Sequence, residues 1–307
     1  MRVFVTGGTG LVGSRLVRAL ARRGDTVTAL TRRPDAARQR LGQGVNIVSG
    51  NPIQSGTWMD AVAGCDAVIH LAGENVFARR WNAAFKELLH ASRVQSTTNL
   101  VQALGQAART KGGQPKVLVN ASAIGYYGPR GEEELNENSP PGDDFLARLC
   151  VDWEHAARQA ESHGVRVAIV RIGVVLDKEG GALAQMLTPF KLGVGGRTGS
   201  GKQWISWIHH EDMAGILLLA LDNPMAKGPI NATAPNPLPN REFAKALGRA
   251  LHRPAVLPTP ALALRLVLGG VAQLVTTGQR VLPRHALALD YSYRFPTIDA
   301  ALADILA

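Results

Sequence analysis

Cysteine is nearly absent: Cys65 and Cys150 are the only two in 307 residues. They lie far apart and fall into no metal-ligand spacing, which excludes a disulfide framework and a cysteine zinc site and suits a reducing compartment. Acid is also short. Asp and Glu number 24 against 34 Lys and Arg, a formal net charge of +10. No basic run is interleaved with aromatics, so nucleic acid is not an expected partner. The surplus reads as a solvated Arg-rich surface, whose field also suits phosphorylated cofactors and acidic substrates. Long apolar runs are missing too. The most apolar late stretch, 262–275, carries Arg265 and two glycines and reads as a buried or lid helix rather than a membrane span. A first strand beginning at Arg2 leaves no room for a secretory leader. The expectations are a cytoplasmic protein with a small-molecule substrate and no membrane partner, a homodimer staying open.

What is present is regular alternation. Short β-branched runs occur at Val3–Thr6, Thr26–Thr31, Asn46–Val48, Ala67–Leu71, Lys116–Asn120 and Val165–Arg171, with amphipathic stretches between them. This predicts an α/β fold, a Rossmann-type doubly wound parallel sheet. A long helix is expected over Arg80–Arg109. Another is expected over Phe145–Ser162, with Asp143 or Asp144 as N-cap. Beyond Arg171 the texture changes to a glycine-rich loop at 193–201 followed by Trp204 and Trp207. Residues 1–172 are therefore read as the dinucleotide-binding domain and 173–307 as a smaller substrate-side lobe, with segments near 204–235 returning to the sheet.

The motif with the clearest physics is Val3-Phe-Val-Thr-Gly7-Gly8-Thr9-Gly10-Leu11-Val12-Gly13. Gly7 permits a tight turn, Gly10 lets a diphosphate approach the backbone, and Gly13 lets the helix pack on the strand. The free N–H groups of the helix start then face the phosphates. The second strand ends in Thr31-Arg32-Arg33-Pro34, with arginine where an NAD enzyme places an acid for the ribose hydroxyls. An acid would repel a 2′-phosphate and arginine pairs with it, so the expected cofactor is NADP(H). Asn51 after the third strand, and Leu71, Ala72 and Gly73 after the fourth, are further cofactor-contact candidates; each is also compatible with ordinary turn chemistry.

Gly7-x-x-Gly10-x-x-Gly13, His70-Leu-Ala-Gly73 and Ala121-Ser122-Ala-Ile-Gly-Tyr-Tyr127-Gly128 resemble the extended short-chain dehydrogenase/reductases. So do Arg171-Ile-Gly-Val-Val and Ile208-His-His-Glu-Asp212. Gly199-Ser-Gly-Lys-Gln-Trp-Ile-Ser-Trp-Ile-His209 narrows the likeness to an atypical subgroup called epimerase family proteins, related to the NAD-dependent epimerase/dehydratases. Gly278-Gln-Arg-Val-Leu-Pro283 and Tyr293-Arg-Phe-Pro296 resemble that subgroup's small C-terminal domain, expected at about 250–297.

The resemblance implies acid/base chemistry by a Tyr-x-x-x-Lys pair, but those positions fall on Leu146 and Cys150. Leucine cannot move a proton, and cysteine carries no fixed positive charge. The family's serine corresponds to Ser122, and Arg93 replaces an asparagine on the long helix, where it could supply the charge once given by lysine. Ser122, Tyr127, Cys150 and Arg93 are thus the catalytic candidates, each with a structural alternative: strand end, core residue, buried thiol, ion-pair partner. His209 is a further polar candidate, and Trp204 and Trp207 are either a substrate wall or core. The implied activity is that of an NADP(H)-dependent oxidoreductase or epimerase; the rival is a non-catalytic NADP(H)-binding sensor or interaction protein.

Overall fold

In the computed structural model, residues 1–110 and 113–307 are described. Among them, seven parallel strands form the central sheet: β1 (Arg2–Thr6), β2 (Thr26–Thr31), β3 (Asn46–Ser49), β4 (Ala67–His70), β5 (Val117–Ala123), β6 (Arg166–Ile172) and β7 (Gly228–Ala232). Their order is β7-β6-β5-β4-β1-β2-β3, so the winding reverses beside β1. Open sheets of this kind leave a ligand crevice beyond the carboxyl ends of the strands at that reversal.

Side-chain alternation on β1 explains the two layers of helices. Val3 and Val5 face α1 (Leu11–Arg22), whose Leu16, Val17 and Leu20 are fully buried, and α6 (His210–Asp222), which adds Ile216 and Leu217. Phe4 points the other way, into a layer built by α4 (Ser96–Ala107), with Leu100 and Leu104, and the region of Trp58 and Met59. Burying each of these leucines stabilises the fold by roughly 1.5–3 kcal/mol. A third cluster around Trp207, Phe243, Leu247 and Leu302 forms the core of the later part of the chain.

The expected elements appear with adjusted ends. β5 runs on to Ala123, past the expected Asn120, because the small polar Ala-Ser-Ala tail carries no β-branched signal. The seventh strand is contributed by Gly228–Ala232, whereas Trp207–His209 pairs with Val174–Leu176 and Trp204–Ile205 with Leu238–Pro239, outside the main sheet. The long helix is interrupted: α3 (Ala83–His90) passes through a π-helical turn at Ala91–Gln95 before α4. α5 (Phe145–Arg158) starts at Asp144, whose carboxylate accepts from the Ala147 N–H at 2.8 Å.

Helix Ala261–Leu268 is not buried: Leu262, Leu266 and Val267 are each about 70% exposed (69%, 70% and 71%). It lies against the loop after β4, where Arg80 donates to the Leu266 carbonyl. Among the described residues no helix is long and apolar enough to cross a membrane.

Candidate functional site: a dinucleotide cleft with a rearranged polar end

A cleft of about 400 Å³ opens at the carboxyl ends of β1–β4. Gly7, Thr9, Gly10, Arg32, Arg33, Asn51, Leu71, Ala72 and Gly73 all line it, so the glycine loop and three strand ends meet where the sheet order reverses. Gly7 has φ +69°, and a Cβ there would lie 2.6 Å from the Leu71 carbonyl carbon. At Gly13 a Cβ would sit 2.2 Å from the Gly7 oxygen, so this glycine packs α1 under the loop instead of lining the cleft. Gly10 is different: its Cβ would meet only the Gly7 oxygen, at 3.2 Å, and would otherwise fill the cradle above the helix start. Among the described residues no side chain caps the start of α1. The N–H groups of Leu11, Val12 and Gly13 are left for an anion, which a pyrophosphate fits. The side chains of Leu11 and Val12 turn elsewhere, Leu11 to Gly180 and Gly181, Val12 to the core.

At the β2 end the cleft wall is cationic. Arg32 follows the strand, Arg33 is the N-cap of α2 (Pro34–Leu41), and Arg33, Ala36, Ala37 and Arg40 follow the i, i+3, i+4, i+7 spacing of one helical face. Arg40 was missed at the sequence level; its spacing from Arg33 was the available signal. Asn51 uses its side-chain oxygen in a local turn, accepting from the Ile53 N–H at 3.2 Å. Among the described residues no acid lines this half of the cleft.

The β4 end is held by a buried chain of polar contacts. Thr6 Oγ1 and His70 Nδ1 are 2.6 Å apart, His70 Nε2 and Ser96 Oγ 3.1 Å, and the Ala72 N–H donates to Thr6 Oγ1 at 3.3 Å. Burial pushes the His70 pKa down to about 3, so the ring is neutral. The π-helical turn then brings Ser92 and Arg93 to this strand end. Its carbonyls are occupied by hydroxyls: Ser96 donates to Ser92 O at 2.7 Å and Thr97 to Arg93 O at 2.7 Å. Such insertions recur at functional sites.

Arg93 lies against Gly73, where a Cβ would be 3.3 Å from the guanidinium carbon. Its N–H groups donate to the carbonyls of Leu89 (3.3 Å) and Glu74 (3.0 Å) and to Ser92 Oγ (3.4 Å), and it sits 5.3 Å from the centre of the Trp153 ring. Among the described residues no carboxylate lies within ion-pair distance. Burial lowers its pKa, opposed by the neighbouring Cys150 and Glu74.

The remaining catalytic candidates belong to a buried network that Cys150 links to Arg93. Ser122 donates to Glu154 Oε1 at 2.7 Å. Arg171 grips the same carboxylate at 2.8 and 2.9 Å and also donates to the Tyr127 hydroxyl at 3.0 Å. Tyr127 in turn donates to Asn231 Oδ1 at 2.7 Å. Ser122, Tyr127, Glu154 and Arg171 are all buried. Burial raises the Tyr127 pKa to about 12 and, aided by the Glu154 charge, that of Cys150 to about 12. Leu146 packs near Gly125. His209 caps α6, accepting from the Glu211 N–H at 3.1 Å, and meets Asp304 at 3.1 Å. Trp207 is core, whereas Trp204 is half-buried, donating to Glu132 at 2.8 Å and stacking with Arg280.

Comparison with known proteins places this geometry. Residues 3–232 match the NAD dependent epimerase/dehydratase family, and residues 259–305 match a domain of unknown function, DUF1731. The epimerase family protein SDR39U1 of Bos taurus is 41% identical over 316 residues, covering 100% of both chains. Its Arabidopsis thaliana homolog, described as chloroplastic, is 40% identical over 100% of this chain and 87% of its own. The crystal structure of human SDR39U1 (isoform 2) with NADPH superposes with a TM-score of 0.86 at 39% identity, covering 99% of each chain. With its glycine loop, switch-point cleft and terminal domain, the chain belongs to the NAD-dependent epimerase/dehydratase family, in the epimerase family protein group.

Proposed function

We propose that this protein is an NADP(H)-dependent oxidoreductase or epimerase-like enzyme acting on a small carbonyl or alcohol substrate, with its active centre at the β4 end of the cleft. The cofactor assignment is supported by Arg32, Arg33 and Arg40, which suit a 2′-phosphate, and by the similar human protein crystallised with NADPH. Gly10 and the start of α1 would hold the pyrophosphate, Asn51 would flank the adenosine side, and Leu71 and Ala72, after β4, would face the rest of the dinucleotide. When bound, NADP(H) supplies or accepts the hydride.

The observation that carries the enzyme reading is Arg93: a half-buried cation with no carboxylate in ion-pair contact among the described residues, packed against the cleft wall at Gly73. Glu74 acts on it without direct pairing, and taking a cation out of water without a paired carboxylate is costly. Its use here is to stabilise negative charge developing on a substrate oxygen, the work that an oxyanion site performs. Arg93 thereby stands in for the charge of the missing lysine.

A specific observation favours the rival reading, a non-catalytic NADP(H)-binding sensor or interaction protein. The protons of Ser122 and Tyr127 are committed to Glu154 and Asn231, and the Cys150 thiol is neutral. Steady-state oxidation of NADPH with a panel of aldehydes and ketones, alongside NADPH titrations, separates the two. Arg93→Met should bind NADPH with little change and lose turnover by about 100-fold or more, the scale of removing one oxyanion donor. Undiminished turnover removes Arg93 from the mechanism, and tight NADPH binding with no turnover by the wild-type protein favours the sensor. The two buried free thiols are compatible with a cytoplasmic setting.

A further inference from the structure

The missing tyrosine leaves the cleft without an obvious group to give and take a proton. We propose that Glu74 is that group. The assignment rests on the oxidoreductase reading above and names the residue that reading lacks.

Glu74 follows Gly73 at the end of β4, and both of its main-chain groups are fixed by the π-helical turn. Its N–H donates to Ser92 Oγ at 3.0 Å and its carbonyl accepts from Arg93 at 3.0 Å. The carboxylate, by contrast, makes no hydrogen bond or ion pair among the described residues. It is half-exposed and lines the cleft. A rigid main chain carrying a free acid is the arrangement expected of a positioned general acid/base.

The alternatives are engaged elsewhere. Ser122 and Tyr127 donate to buried partners, and Cys150 is itself buried and held neutral. The other ionisable side chains lining the cleft are Arg32, Arg33 and Arg40, which stay protonated and cannot cycle a proton. Glu74 is therefore the one acid lining the cleft among the described residues. It also stands on the correct side. The arginines follow β2, whereas Glu74 follows β4, across β1 from them. In a sheet of this topology the dinucleotide crosses the crevice where the strand order reverses, so if the arginines take the adenosine phosphate, Glu74 faces the other half. Arg93 is close enough for its cation to feel the Glu74 charge, so the two form an acid/base group beside a fixed positive charge.

In the reducing direction, hydride from NADPH forms a C–H bond at the carbonyl carbon. The C=O π pair moves to oxygen beside Arg93, and the proton of the Glu74 carboxyl completes the hydroxyl. The nicotinamide is oxidised, the substrate is reduced, and Glu74 is left as carboxylate to be reprotonated from solvent. The reverse direction has Glu74 take the alcohol proton. The substrate class is a small aldehyde, ketone or secondary alcohol.

Two measurements test this. In crystals of the full chain with NADPH, the Glu74 carboxylate should lie roughly 5–7 Å from nicotinamide C4, leaving room for one reacting carbonyl. A carboxylate bound instead to the ribose hydroxyls, or more than about 10 Å from C4, overturns the proposal. In solution, Glu74→Gln should keep its NADPH affinity within about twofold and lose kcat by about 100-fold or more. Glu74→Asp should recover part of it, and the pH dependence of kcat should flatten in the glutamine variant. An active wild type with an equally active Glu74→Gln overturns the role of Glu74 alone. A wild type that binds NADPH and turns over no carbonyl or alcohol defeats the oxidoreductase reading and this role with it.

Discussion

At the scale of single residues, the cofactor cleft is decided by charge placement more than by shape. Arg40 projects from the same face of α2 as Arg33, with Ala36 and Ala37 between them leaving open space. If the three arginines share a 2′-phosphate, each charge-assisted contact contributes about 1.5–3 kcal/mol. Arg40→Ala should then weaken NADPH binding by about tenfold or more in a fluorescence titration while leaving NADH nearly unchanged. An equal loss for both cofactors would assign Arg40 to the adenine or to the fold rather than to the phosphate. Arg32 and Arg33 were legible from sequence because they follow directly on a strand end whose partner motif is local. Arg40 needed the helical face to be recognised. Glu74 carried no periodic signal at all, since only the tertiary approach of Ser92 and Arg93 reveals that its main chain is pinned and its carboxylate free.

At the scale of elements, helix α5 and strands β5 and β6 are joined by one buried ion pair. Glu154 on α5 accepts from Ser122 on β5 and from Arg171 on β6, and Arg171 also lies 3.4 Å from the centre of the Tyr126 ring. Replacing Arg171 with Met leaves a buried carboxylate facing one hydroxyl. It should cost about 3–5 kcal/mol of unfolding free energy in a urea titration. A loss below about 1 kcal/mol would mean that water or a neighbouring donor replaces the guanidinium. The sequence announced these three elements through their apolar periodicity, yet it could not announce their polar contents. Ser122 looks like a reactive serine in a motif and becomes a donor to Glu154 once the strands are aligned side by side. The π-helical turn was equally hidden. Residues 80–109 read as one uninterrupted helix because the extra residue in a π turn changes the phase of the face without changing its composition.

At the scale of the whole molecule, two neutral histidines fasten the two ends of the chain. His70 joins β1, β4 and α4 through Thr6 and Ser96, and burial holds its pKa down at about 3. His209 caps α6, stacks 3.9 Å from the centre of the Phe295 ring and reaches Asp304 on the last helix. Burial and the neighbouring His210 push its pKa down to about 4, against the pull of Asp304. Around it, Asp212 accepts from the Arg294 and Phe295 N–H groups at 2.9 and 3.0 Å. Gly215 leaves the space that the Tyr291 hydroxyl occupies, 2.1 Å from where a Cβ would stand. Unfolding exposes both rings, which then titrate near the ordinary value of about 6.5. Below that pH the unfolded chain binds protons that the folded chain refuses, so stability falls with falling pH. The contribution is fully present above about pH 6.5 and is lost progressively towards pH 4 to 3. The slope approaches about 1.4 kcal/mol per pH unit for His70 well below pH 6.5, with His209 adding to it until it titrates. Urea titrations at pH 7.5, 5.5 and 4.5 should show this decline, and His70→Gln, which cannot titrate, should remove the His70 share of the slope even where it lowers stability at neutral pH. A variant that keeps the full wild-type pH dependence would show that the acid sensitivity arises elsewhere, and that His70 is protonated in the folded protein at far higher pH than its burial implies.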